Sequence, residues 1–161
     1  AGAAAPGGGG GQPSLPPSVG GDVPAAVAGD EEAPAWLDGP AFVEAAKTHF
    51  IRLQAAWDQA DFRDIREYTT PRLFAELQRE RQRLGDGAQF TEVVTLNAEL
   101  LGVRRDEDMA VASVAFSGLI REEESGTASR FEEIWHVQHP WATREGDWLI
   151  TGIQQVDAEA A

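Results

Sequence analysis

Near residue 87 of this 161-residue chain the hydrophobic pattern changes period. Before that point apolar residues recur every three or four positions, the spacing of one helix face. After it they alternate, the spacing of a strand with one covered side. A chain that spends its helices first and its strands afterwards cannot build alternating strand–helix–strand units. It is confined to an α+β fold: three N-terminal helices packed on one face of a curved four-stranded antiparallel sheet.

The helical half is well punctuated. Asp38 or Gly39 caps a first helix, with Pro40 in the first turn, where a missing N–H costs nothing. Phe42, Ala46, Phe50, Leu53 and Trp57 form its apolar stripe, up to about Ala60. Asp61 caps a short second helix that turns Phe62, Ile65 and Tyr68 inward. Thr70-Pro71 opens a third, with Leu73, Phe74, Leu77 and Leu84 as its stripe and Gly85 as its stop.

In the strand half, Val94, Leu96, Ala98 and Leu100 share a face, and a polar turn follows at 104–108. Ala110, Ala112, Val114, Phe116 and Ile120 share a face of the second strand. Phe131, Glu133, Trp135 and Val137 share a face of the third, opposite Ile134, His136 and Gln138. In the closing strand, Trp148, Ile150, Gly152 and Gln154 alternate with Leu149, Ile153 and Gln155. Gly152 marks a bend or bulge there.

Residues 1–35 read as a linker, and 36–158 as one domain. The first 34 residues hold nine of the 17 glycines and six of the nine prolines, without a lysine, arginine or aromatic. The Gly7–Gly11 run lacks the strand and the Lys-Ser/Thr that a phosphate loop requires. A formal net charge of −14 opposes binding to nucleic acid and any polybasic grip on anionic lipid. No apolar run reaches the roughly 18 residues of a membrane span. The chain opens inside a low-complexity tract, so it is expected to be a fragment of a longer protein.

Candidate chemistry is sparse. There is no cysteine. His136 and His139 point to opposite faces of a strand, so a shared metal is not expected. Glu132 and Glu133 beside Trp135 and His136 form the best case for acid–base work, because burial near an indole raises a carboxyl pKa. The plainer expectation pairs both glutamates with Arg121 or Arg130 across the sheet. Arg72, Arg79 and Arg83 lie on one side of the third helix, interleaved with Glu76 and Glu80. They read as a solvated, ion-paired face, or as a docking surface for a partner or lipid headgroups.

Five stretches carry a resemblance in order: FIRLQAAWDQADFRDIREYTTPRLFAEL, VVTLNAELLGV, VAFSGLIREE, FEEIWHVQ and WLITGIQQ. Together they resemble bacterial relatives of the mitochondrial inner-membrane import-motor scaffold, the forty-four-kilodalton subunit of that translocase, over roughly 40–156. The resemblance implies a cone-shaped fold like nuclear transport factor two, also called cystatin-like, with the sheet curved around an apolar pocket. It implies a non-enzymatic, membrane-associated binding or scaffold domain. The mitochondrial member associates with cardiolipin-containing membrane and tethers a seventy-kilodalton chaperone. Bacterial relatives are described as predicted lipid-binding or transport proteins, held at the inner membrane by a segment upstream of this domain.

On that footing Phe50, Leu53, Trp57, Phe116, Trp135 and Ile150 are the candidates to line a pocket for an acyl chain or a partner's apolar segment. Phospholipid, another apolar ligand or a protein of a membrane complex is the implied partner. No catalytic residue, cofactor or metal is implied. A purely protein-interacting module is one alternative. The other is a small-molecule enzyme of the same fold using Glu133, His136 and the sole tyrosine, Tyr68, provided these three reach one another.

Overall fold

Each helix begins where a side chain can satisfy a backbone N–H that the helix itself leaves free. In the computed structural model, Asp38 accepts from Ala41 N at 3.2 Å and starts α1 (Gly39–Gln59). Asp61 accepts from Asp64 N at 3.2 Å and starts α2 (Phe62–Arg66). Thr70 Oγ1 accepts from Leu73 N at 3.4 Å and starts α3 (Pro71–Arg83). The structure describes residues 18–19, 33–85, 90–123 and 125–156. Most of the expected linker, and residues 157–158 of the expected domain, lie outside them.

The strands are β1 (Ser18–Val19), β2 (Glu92–Asp106), β3 (Met109–Arg121), β4 (Ser129–Pro140) and β5 (Leu149–Gln155). They form one antiparallel sheet in the order β1-β5-β4-β3-β2. The four long strands are those expected. The two-residue β1 adds a fifth, from within the stretch read as linker. β2 runs on to Asp106, so the turn expected at 104–108 shrinks to Glu107 and Asp108, with Glu107 at φ 58°.

Three bulges set which side chains face inward. Val94 and Leu101 are extra residues on β2, and Thr151 is extra on β5. Each extra residue reverses the alternation beyond it. Val93 therefore packs against the core, while Val94 is 43% exposed rather than inward. Ile150 and Ile153 are both buried, although strict alternation puts them on opposite faces. Gly152 directly follows the Thr151 bulge, as expected of it.

The core lies between the helices and the inner face of the sheet. Phe50 of α1 sits over Phe116, Phe131 and Trp135, with ring centroids 4.7, 5.4 and 5.4 Å away. Ala110, Ala112, Val114, Phe116 and Ile120 of β3 are all buried, as their spacing requires. Leu84 is not part of the α3 stripe, being 42% exposed one residue past the helix end. Its place is taken by Arg81, a buried residue whose guanidinium donates to Trp57 O at 2.8 Å, Asp58 O at 3.2 Å and Gly85 O at 3.0 Å. A cation set on the carbonyls at the end of α1 offsets the negative end of that helix and fastens α3 to it.

Gly118 is fixed by contact. A Cβ there would lie 2.1 Å from Thr95 O on the neighbouring strand, and the backbone has φ +154°. Gly118→Ala must push β2 away from β3 and is expected to cost about 1–3 kcal/mol, as overpacking does. Urea unfolding of the variant measures this; an unchanged midpoint would contradict the close approach.

Candidate functional site

The six apolar candidates do come together. Phe50, Leu53 and Trp57 reach the core from α1, one to two turns apart on one stripe. Phe116, Trp135 and Ile150 reach it from β3, β4 and β5. None is more than 2% exposed. Phe116 meets Trp135 edge-on at 4.9 Å while Phe50 covers both. On the inner face of the sheet these rings pack against one another.

A carboxyl group is buried among these rings. Phe116, Glu133 and Gln155 stand abreast on three adjacent strands, and strand geometry turns directly opposed residues to one face. Glu133 is fully buried and pairs with neither Arg121 nor Arg130. Arg121 lies 2.6 Å from Glu92 instead. Glu133 Oε1 accepts from Trp135 Nε1 at 2.8 Å, and its Oε2 accepts from Gln155 Nε2 at 3.1 Å. Burial pushes the Glu133 carboxyl up to about 7, against the pull of those two donors. Sequence reasoning missed Gln155 as the partner because the Thr151 bulge decides which of the closing glutamines turns inward.

The remaining acid–base candidates lie elsewhere. His136 faces the other side of β4, its Nδ1 2.8 Å from Ser113 Oγ, and burial lowers its pKa. Tyr68 donates its hydroxyl to Asp64 Oδ2 at 2.9 Å. Burial first, and then that bond to Asp64, push its pKa up. Arg52 holds Asp64 at 2.6 Å and lies over the Tyr68 ring at 4.6 Å; its hydrogen bonds keep the Asp64 carboxyl below its usual range. His49 adds an edge contact to Tyr68 at 5.9 Å. Tyr68 thus belongs to an ion-paired network where α1 meets α2. Glu133, His136 and Tyr68 do not form one constellation.

Arg72, Arg79 and Arg83 are exposed on α3. Arg72 lies 3.7 Å from Glu76, and Arg83 pairs with Glu80. His139 lies on the inner face, opposite in direction to His136, and packs with Trp36 and Trp148 at 4.6 and 5.0 Å. Among the described residues no cluster of three or more histidines and carboxylates is placed to hold a metal. Three polar atoms of the α1 stripe make no hydrogen bond to a described residue although buried: Gln54 Nε2, Gln54 Oε1 and Trp57 Nε1.

Glu133 gives this core a dependence on pH. An unfolded glutamate titrates near 4.5, and folded Glu133 at about 7. As pH rises between those values the unfolded chain loses a proton that the folded chain keeps. Stability therefore falls through that window, by about 3 kcal/mol, and levels off above it. Glu122, also pushed up to about 7 by burial and by Asp58 and Glu123, adds a slope of the same sign, weakened by solvent screening, to any variant that retains it. Glu133→Gln is expected to remove only the first contribution. Urea unfolding at pH 4.5 and 7.5 should show the variant gaining on the parent by about 3 kcal/mol. A difference that does not change with pH would contradict the raised Glu133.

Comparison with known proteins gives two findings. The family described as the Tim44-like domain matches residues 25–155. Among solved structures, the chain is similar to a ketosteroid isomerase-like protein from Erwinia carotovora atroseptica SCRI1043. That likeness has 17% identity and a TM-score of 0.40, covering 73% of this chain and 95% of that one. No curated protein matches.

Proposed function

Because the chain belongs to the Tim44-like domain family, we propose that it is a non-enzymatic, membrane-associated binding and scaffold domain whose bound species is a protein. The observation that carries the choice of a protein over an acyl chain is the filled inner face of the sheet. Phe50, Leu53, Trp57, Phe116, Trp135 and Ile150 are buried against one another. An acyl chain in their midst would have to displace side chains whose burial is worth roughly 1.5–3 kcal/mol each. The non-enzymatic part of the reading is supported by the separation of Glu133, His136 and Tyr68. A general acid or base must reach a shared substrate, and these three occupy the inner face, the outer face and the α1–α2 junction.

Membrane association, on this reading, comes through a partner or through sequence upstream of the domain. No described helix is long and apolar enough to cross a membrane. With 27 acidic against 13 basic side chains, attraction to anionic headgroups is weak. The exposed arginines of α3 are partly neutralised by Glu76 and Glu80.

One observation favours a bound apolar ligand as the second reading. The amide of Gln54 and the indole nitrogen of Trp57 are buried without a described partner, and such atoms call for a polar group to meet them. A ligand with a polar end beside α1 would supply one.

Native mass spectrometry of the purified protein, together with flotation on phosphatidylcholine vesicles with and without cardiolipin, separates the two readings. The protein reading expects a bare chain mass, no flotation, and a defined protein recovered by cross-linking in native membranes that rebinds saturably when purified. A stoichiometric lipid adduct, or flotation of the protein alone, would overturn it in favour of the ligand reading.

A further inference from the structure

One edge of β5 is turned away from β4. An edge strand presents unpaired N–H and C=O groups that can accept another strand. The edge of β5 is closed at its beginning. Ile150 N donates to Tyr68 O at 2.8 Å, and Thr70 N donates to Ile150 O at 2.9 Å. Thr69 and Ile150 form a parallel bridge there. Farther on, the same edge takes a strand from this chain itself: Ser18 lies opposite Gln154 and Val19 opposite Ile153, antiparallel. That strand also runs beside α3. The end of β5 thus forms a slot with a backbone ladder on one side and a helix on the other.

We propose that this slot receives an extended segment of a partner protein, added to the sheet as a strand, and that Ser18–Val19 is an internal occupant which the partner displaces. This deepens the protein-scaffold reading and rests on it. The internal strand pairs with β5 over two described residues. Pro16 and Pro17 precede it and have no N–H to give to a ladder, and Gly20 and Gly21 follow it. Two residues of pairing gain little against the cost of ordering them. A segment without prolines or glycines at those positions can pair further along β5 and outcompete it. This is strand addition, in which the backbone supplies affinity and alternate side chains supply selectivity.

The register defines the partner's chemistry. Ile153 is buried and Gln154 exposed. The partner position opposite Ile153 shares its inward face and takes a β-branched apolar residue. The position opposite Gln154 faces solvent and takes a small polar one. In the backbone register Val19 stands opposite Ile153 and Ser18 opposite Gln154. By contrast, the outer edge of β2 carries two bulges and exposed Glu99 and Arg105, features that blunt an edge against pairing.

The test uses the full chain and a fluorescently labelled hexapeptide alternating threonine and valine. The double variant Ser18→Pro/Val19→Pro removes the internal strand's ladder donor, whichever of the two residues supplies it, while leaving α1–α3 and β2–β5 unchanged in sequence. It is expected to bind the peptide about tenfold more tightly than the parent, the worth of one or two net hydrogen bonds. Amide chemical-shift changes should centre on Ile153 and Gln154. A peptide N-methylated at alternate residues should lose binding, because backbone donors carry the recognition. Equal affinity for parent and variant, shifts centred elsewhere, or full binding of the N-methylated peptide would overturn the proposal. If a cross-linked native partner is retained equally by parent and variant, the scaffold reading stands and the β5 slot falls. If the peptide binds as described but native membranes yield no partner, the slot stands and the scaffold reading falls.

Discussion

The contact between Phe50 and the three rings of the sheet, Phe116, Phe131 and Trp135, decides most of what this fold can do. It places α1 across the inner face and buries the middle of the sheet. Its strength comes from area. Each of these rings buries on the order of 150–250 Å², and such losses from water outweigh any single hydrogen bond in the domain. Other contacts work around it. Arg81 ties the end of α1 to α3 through backbone carbonyls. Phe42 and Trp36 meet Trp148 at the start of α1, at 4.8 and 6.0 Å.

Within this apolar setting one ionisable group is tolerated because its donors are supplied. Glu133 accepts from Trp135 and Gln155, one on each of its two oxygens. It is a polar tie between the adjacent strands β4 and β5. Its cost rises with pH as the folded group is held protonated while the unfolded one ionises.

Much of this architecture is legible in the sequence, because its signals are local. Asp38, Asp61 and Thr70 sit where a cap must sit, and all three accept the expected backbone hydrogen bonds. The inward face of β3 follows from simple alternation, since no bulged residue falls on that strand. What is not legible depends on distant partners. Bulges at Val94, Leu101 and Thr151 reverse the alternation on β2 and β5, and only pairing with a neighbour creates them. Arg81 reads as surface from its own helix, and is buried because the end of α1 offers it carbonyls. Gln155 reads as the rim of a closing strand, and its role appears only when Glu133 lies opposite. The site follows the same rule. The six apolar candidates were recognisable as inward-facing, but whether they line a space or fill it depends on how three strands and a helix meet.

The middle of the inner face of this sheet is filled by the protein's own aromatic rings. A crystal structure of the chain purified from its native membranes without delipidation tests it most directly. The account predicts Phe50 in van der Waals contact with Phe116, Phe131 and Trp135, with no electron density between them beyond the side chains. Continuous density for an acyl chain separating Phe50 from those rings would contradict it.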